Sequence, residues 1–188
     1  MKNIKLVLLF FLPLSLIYAT EYQVDKKAKN SVKFISDAPI ENFEGITKNI
    51  DGYIYLDKTQ SLDSSQLYFE VELNTLDTGI GLRNRHMREE YLETDKFPYT
   101  YFTGKFATMK LRDDGNYDVE VNGKMFIHGI TKQVLISGVM IKTEDGFNIS
   151  SSFEVKLTDY NIDIPKIMFL KIDETMKLEV DFFVKEII

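Results

Sequence analysis

Residues 67–73 read Leu-Tyr-Phe-Glu-Val-Glu-Leu, and apolar side chains occupy every second position of this stretch. Successive side chains of a β-strand point to opposite faces, so the stretch predicts a strand with one dry face and one wet face. Residues 147–157 and 178–184 alternate in the same way, and Ser151 interrupts the apolar series of the first of them. The three stretches predict an all-β, mainly antiparallel fold with one buried face.

Further strands are predicted on both sides of these three, at residues 31–36, 52–56, 99–106, 117–121 and 133–141. Hairpin turns are predicted at residues 113–116 (Asp-Asp-Gly-Asn) and at Asp145-Gly146. About eight short strands predict a β-barrel, with a sandwich as the alternative, and an eight-stranded barrel can hold one small ligand. Residues 82–93 break the alternation and predict a short helix inserted between strands.

The N-terminus predicts a secretory signal peptide at residues 1–19. Lys2 and Lys5 precede an apolar run at residues 6–17, and Ala19 supplies a small residue for cleavage. The run is too short for an ordinary membrane-spanning helix, although an uncleaved anchor is the alternative. We therefore expect export to the periplasm or the medium, and a single mature domain at residues 20–188.

The composition limits the chemistry. The 188-residue chain carries a formal net charge of -6, which argues against nucleic acid as a partner. It contains no cysteine and only two histidines, so neither a disulfide nor a three-histidine zinc site can form. Asp77-Thr78-Gly79 is similar to an aspartic protease triplet, but it occurs once and also suits a turn. The expectation is a non-enzyme without metal or cofactor.

Five segments in order resemble the YceI family of bacterial periplasmic proteins. They are residues 22–25 (Tyr-Gln-Val-Asp), 76–79 (Leu-Asp-Thr-Gly), 83–87 (Arg-Asn-Arg-His-Met), 123–132 (the hairpin Gly-Lys-Met-Phe-Ile-His-Gly-Ile-Thr-Lys) and 159–162 (Asp-Tyr-Asn-Ile). Asn84 and Phe126 depart from the family pattern, which has Asp and Thr there. The resemblance implies an extended lipocalin-like barrel that holds an isoprenoid or another amphiphilic lipid and does not turn it over.

The candidate ligand-binding residues combine this implication with strand parity. Arg83 and His86 are candidates for headgroup contacts, and bracing of the helix is their alternative role. Met168 and Phe169 are neighbours on an extended chain, so at most one of them is expected to face the ligand. Each apolar candidate has plain core packing as its alternative. The interior candidates are Phe69, Val71, Met87, Tyr91, Phe102, Phe126, Phe153, Met168, Phe169, Val180 and Phe182.

Two other classes of protein stay open at the level of sequence. An integral outer-membrane barrel also alternates, but it faces apolar residues outward. A hydrolase would depend on Asp77, for which the sequence offers no obvious partner group. A peripheral membrane contact and a homodimer are also left open.

Overall fold

The computed structural model describes residues 19–36, 42–57, 61–167 and 170–187 of the chain. Within these residues the chain forms twelve strands and one α-helix, α1 (Gly81–His86), which continues as a π-helical turn (Met87–Tyr91). Single 3-10 turns lie at Leu62–Ser64, Leu73–Thr75 and Leu157–Tyr160. The strands are β1 (Ala19–Val24), β2 (Ser31–Ser36), β3 (Phe43–Thr47), β4 (Ile50–Asp57), β5 (Gln66–Glu72), β6 (Tyr99–Leu111), β7 (Tyr117–Ile127), β8 (Ile130–Lys142), β9 (Gly146–Lys156), β10 (Lys166–Ile167), β11 (Leu170–Lys171) and β12 (Thr175–Ile187).

Eight strands close into an antiparallel barrel in the order β1-β4-β5-β6-β7-β8-β9-β12, and β12 pairs back with β1. The strand β12 is long enough to have two partners along one edge. Residues 176–181 pair with β2, and residues 184–187 pair with β1. The pair β2–β3 therefore lengthens the barrel beyond the pair β1–β4. This confirms the predicted eight-stranded, lipocalin-like barrel.

The two ends of the barrel differ, and we call them the floor and the mouth. The floor is the end with the turns at residues 112–116 and 143–145. The mouth carries residues 73–98, which include α1, the turn at residues 128–129 and the connection that follows β9. The turn at the mouth joins β7 to β8 through His128 (φ 49°) and Gly129 (φ 79°), as a tight hairpin requires.

One pair of neighbouring strands is joined along only part of its length. Residues 138–142 of β8 pair with residues 147–151 of β9, near the floor. Towards the mouth, residues 130–137 and 152–156 do not pair with each other, and we call this gap the seam. At the point where the seam begins, Ser151 Oγ donates a hydrogen bond to the Ser137 carbonyl at 2.6 Å. The side chain thus satisfies a carbonyl where the ladder ends.

The predicted elements need three corrections. The helix begins at Gly81 rather than Leu82, and its last turn is π-helical. It ends at Tyr91 rather than residue 93, where Glu93 has a positive φ of 43°. Strands β1 and β3 were not predicted, and neither was the small β10–β11 pair.

The predicted signal peptide falls on residues 1–18, outside the described part of the chain, and on Ala19, the first described residue. It stays a prediction. Within the described ranges, no helix is both long enough and apolar enough to cross a membrane.

Candidate functional site

A cavity of about 770 Å³ occupies the barrel and reaches the mouth. Its lining comes from the inward-facing positions of the strands and from α1, and it is almost entirely apolar. Five phenylalanine rings at different heights illustrate this lining: Phe34, Phe69, Phe102, Phe106 and Phe153. The few polar side chains in the lining include Arg83 and His86 at the mouth and Ser151 at the start of the seam.

The structure places most of the predicted interior residues around this cavity. Phe69, Val71, Phe102, Phe153, Val180 and Phe182 line it from the strands, and Met87 and Tyr91 line it from the helical segment. Arg83 and His86, the predicted headgroup contacts, also lie in its lining. Their contact with a ligand stays a prediction.

Phe126 was wrongly predicted to face the interior. Its neighbours Met125 and Ile127 are buried and line the cavity, so Phe126 lies on the outer face of β7. There its ring stacks on Tyr101, with the ring centroids 4.5 Å apart. Met168 and Phe169, the predicted entrance residues, lie outside the described residues.

A pair of glycines makes room for one of the cavity rings. Gly104 and Gly123 lie opposite each other on β6 and β7, and both face inward. The ring of Phe102 covers this pair so closely that a Cβ on Gly123 would lie 2.3 Å from it. The same Cβ would lie 2.4 Å from the carbonyl oxygen of Thr103, so neither ring nor backbone leaves space for a side chain.

Aromatic packing closes the cavity at the floor. The Phe147 ring lies edge-on to Tyr22 at 5.1 Å and to Tyr117 at 6.2 Å. Val184 beside them is fully buried, and none of these four residues lines the cavity. Burial is the main cause that raises the pKa of Tyr22. The floor is therefore a packed core that borders the empty part of the barrel.

Hydrogen bonds from Asn84 hold the loop before α1 at the mouth. Asn84 Nδ2 donates to Asp77 Oδ1 at 2.7 Å, and Asn84 Oδ1 accepts from both the backbone N–H and the hydroxyl of Thr78. The backbone N–H of Gly79 also donates to Asp77 Oδ1, at 2.8 Å. These donors, Asn84 first, lower the pKa of Asp77. Asp77 thus serves as the acceptor of a turn.

Arg83 joins this loop to the cavity. Its Nη2 donates to the Thr78 carbonyl at 2.8 Å, and its guanidinium lies 4.6 Å from the centre of the Phe43 ring. Its Nε is buried and has no hydrogen-bond partner among the described residues. A buried donor without a partner is costly, so the fixed position of this guanidinium is held at the expense of that one donor. His86 lies one turn further along, with Nε2 4.0 Å from Glu90 Oε1.

A second set of contacts ties three mouth connections together. His128 Nε2 lies 3.0 Å from Glu93 Oε2, and His128 Nδ1 lies 3.1 Å from the Tyr160 carbonyl oxygen. Glu93 also pairs with Lys96, and that contact, followed by the one to His128, lowers the pKa of Glu93. The end of the helical segment, the β7–β8 turn and the connection after β9 are therefore braced at one point.

Several lining residues could not be predicted from the sequence. Phe43 belongs to a strand of five residues that contains a glycine, so its alternation is too short to recognise. Ile162 and Ile172 line the cavity from the connection after β9, where no regular period exists. In the described ranges no three or more His, Cys, Asp or Glu residues are grouped so as to hold a metal ion.

A closed antiparallel barrel around an apolar cavity that reaches one end is the architecture of the lipocalin-like class. Within that class, the chain belongs to the YceI-like family, because the model of the YceI-like domain matches residues 22–184.

Among relatives, the chain is 28% identical over 155 residues to a UPF0312 protein of Enterobacter sp. (strain 638), with 77% of each chain covered. It is 26% identical over 155 residues to Protein YceI of Escherichia coli O17:K52:H18 (strain UMN026 / ExPEC), again with 77% of each covered.

Two solved structures share the fold with a TM-score of 0.69. Burkholderia cenocepacia BcnA is 15% identical, and the match covers 85% of this chain and 98% of that one. A polyisoprenoid binding domain from Saccharophagus degradans is 16% identical, with 87% and 97% covered.

Proposed function

We propose that the protein is a non-catalytic binding protein that holds a long-chain amphiphilic lipid, such as a polyisoprenoid, inside its barrel. The observation that carries this proposal is the apolar cavity, which is closed by aromatic packing at the floor and reaches the mouth. The name of the Saccharophagus degradans domain, a polyisoprenoid binding domain, supports the same class of ligand.

The energetics favour an alkyl or prenyl chain over a polar ligand. Each buried CH₂ group contributes about 0.8 kcal/mol, so a chain of moderate length can be held without specific polar contacts. The polar groups of the lining that lie at the mouth would then fix the headgroup. Arg83, whose side chain lies in the cavity lining at the mouth, is the donor that we assign to a headgroup oxygen.

The two alternative classes fit the site less well. The apolar interior and the charged outer positions of β12, such as Lys177 and Glu179, are the reverse of the pattern of outer-membrane barrels. A hydrolase based on Asp77 would need a proton-transferring carboxyl group. The pKa of Asp77 is instead lowered, and its Oδ1 already accepts two hydrogen bonds.

We propose the periplasm, or the medium, as the location of this binding protein, on the evidence of the predicted signal peptide. A container for a lipid chain is needed where the chain must leave one membrane and cross an aqueous space. The charged start and the apolar run of residues 1–19 have the order that export signals require.

The proposed function is tested by extracting the purified, exported protein with organic solvent and analysing the extract by mass spectrometry. We expect a lipid with a long alkyl or prenyl chain. If the protein releases no lipid and shows no saturable binding of prenyl or fatty chains, the proposal is wrong.

Adjacent serines on β9 supply matched variants for this test. Ser151 lines the cavity, whereas Ser152 is exposed on the outer face. We expect Ser151→Phe to reduce the amount of extracted lipid, and Ser152→Phe to leave it unchanged. Ser151→Ala separates the effect of bulk from the loss of the hydrogen bond to Ser137.

A further inference from the structure

Two apolar side chains at the mouth belong both to the cavity and to the surface. Ile80 and Leu82 line the cavity, yet 49% of Ile80 and 56% of Leu82 is exposed. The other large hydrophobic residues with high exposure, such as Leu111 at the floor, do not line the cavity. Ile80 and Leu82 therefore lie at the mouth, between the cavity and the surface, and we call residues 78–88 around them the lip.

The lip differs in charge from the rest of the chain. It contains three arginines and one histidine and no carboxylate, whereas the chain as a whole has a formal net charge of -6. The Arg85 side chain is exposed and makes no ion pair or hydrogen bond with any described residue. The Arg83 guanidinium lies beside the opening, over the ring of Phe43.

Carboxylates flank the lip on both sides, and two of the three have partners. Asp77, which precedes the lip, accepts hydrogen bonds from Asn84 and from the Gly79 N–H. Glu90, which follows it, lies 4.0 Å from His86, while Glu89 is exposed beside it. Arg85 is therefore an exposed cation at the centre of the lip, without a side-chain partner among the described residues.

We infer that the lip docks on an anionic lipid surface, with Ile80 and Leu82 inserted at the level of the headgroups and Arg85 against their phosphates. This inference rests on the proposed function, because a container for a membrane lipid must load where the lipid resides. Exposed apolar side chains beside basic ones bind lipid surfaces by combining apolar burial with attraction to anionic headgroups. Docking at the lip would align the cavity with the bilayer, so that a chain could move without crossing water.

The natural absence of cysteine provides a direct test of orientation, because a single introduced thiol can be labelled specifically. Leu82→Cys and Leu111→Cys each receive an environment-sensitive fluorophore, one at the lip and one at the floor. Vesicles of phosphatidylglycerol and phosphatidylethanolamine are then added. We expect a blue shift of the emission at position 82 and none at position 111.

Charge reversal tests the electrostatic part. Arg85 does not line the cavity, so Arg85→Glu leaves the binding residues in place. We expect it to weaken partitioning to the vesicles at least about fivefold, since each basic residue near an anionic surface contributes about that factor. Lys142→Glu, the same reversal on an exposed lysine near the floor, should leave partitioning unchanged.

The outcomes separate this inference from the proposed function. Binding of a fluorescent fatty acid in solution, without vesicles, is measured for the wild type and for Arg85→Glu, and both should bind equally. Equal shifts at positions 82 and 111, unchanged partitioning of Arg85→Glu, or a shift at position 82 that follows protein concentration without vesicles would overturn the docking surface. A wild type that fails to bind the fatty acid would overturn the proposed function instead.

Discussion

The floor and the mouth of the barrel are built from the same strands but are held together differently. At the floor, β8 and β9 pair fully, and the aromatic cluster around Phe147 fills the interior. At the mouth, the same two strands separate along the seam, and hydrogen bonds at Asp77 and His128 brace the connections. Packing thus stabilises the end that needs no opening, and polar contacts hold the end through which a ligand would pass.

The difference between the floor and the mouth explains how one barrel can be both stable and open. Apolar burial drives folding, and at the floor the Phe147 cluster fills the interior, whereas around the cavity the buried side chains border empty space. The helical segment at the mouth, α1 with its π-helical turn, has no buried residue, and segments with few buried apolar contacts open at a lower free energy than the core. We therefore expect this segment to fluctuate before the floor does. The two ends can be tested separately with matched substitutions.

The largest expected effect comes from truncating inward-facing phenylalanines at two heights of β9. Phe147 is 7% exposed and packs in the floor, whereas Phe153 borders the cavity. We expect Phe147→Ala to lower the free energy of unfolding by about 3–5 kcal/mol. Phe153→Ala should lower it by about 1–2 kcal/mol, because empty space already lies on one side of that ring. If denaturant titrations give equal losses of unfolding free energy for both variants, Phe147 at the floor is no more tightly packed than Phe153 beside the cavity.

A smaller effect is expected from Asn84→Asp at the mouth. The substitution removes the donor to Asp77 Oδ1 and places two carboxylates within 2.7 Å of each other. We expect the thermal unfolding midpoint at neutral pH to fall by about 2–4 °C, in line with the loss of one net hydrogen bond in a chain of this size. Asn148→Asp, an exposed position on β9, serves as the control and should not change the midpoint. A midpoint unchanged by Asn84→Asp would contradict the role of Asn84 in bracing the loop.

The smallest expected effect distinguishes two acid-sensitive turns. The pKa of Asp77 is lowered mainly by Asn84, and that of Asp114 at the floor mainly by the backbone N–H of Asn116. A lowered pKa means that the folded state binds protons less readily than the unfolded chain. The stabilising effect is therefore complete above about pH 3.9 and is lost as the pH falls through the folded value.

The two turns should respond differently to this titration, as NMR can show. Protonation of Asp77 should shift the amide signals of Met87 and Tyr91, because the Asp77–Asn84 contact connects the loop to the helical segment. Protonation of Asp114 should affect only its own hairpin. If the amide signals of Met87 and Tyr91 titrate in the Asp77→Asn variant as they do in the wild type, Asp77 is not the group that couples the loop to the helical segment.

Local patterns predicted much of this architecture. Alternation placed Phe69, Phe153, Val180 and Phe182 correctly on inward faces, because a strand with one dry face must bury every second residue. The inserted helix was predicted from the break in that alternation. Phe126 was misplaced because it was assigned from family resemblance, whereas the buried Val119 and Val121 fix the phase of β7 and turn Phe126 outward.

Features that depend on pairing between distant strands could not be predicted from the sequence. The apolar series of β9 is interrupted at Ser151 and resumes at Phe153, so the sequence marks the residue at which the seam begins but not that β8 separates there. The two partners of β12 likewise follow from barrel closure and not from its own sequence. The sequence predicted most of the lip only as part of a helix, because the exposure of Ile80 and Leu82 depends on where the cavity opens.

The decisive measurement for a lipid-holding barrel is how affinity depends on chain length, because a cavity of about 770 Å³ that is closed at the floor accepts a chain only up to a limit. A series of fatty acids or prenyl alcohols is titrated into delipidated wild type, Ser151→Phe and Ser152→Phe. We predict about fourfold tighter binding per added CH₂ until the cavity is full, then a plateau. The plateau should come at shorter chains in Ser151→Phe and at the wild-type length in Ser152→Phe. Affinity that does not depend on chain length, or that changes equally in both variants, would contradict the proposal that the lipid chain lies in the barrel cavity.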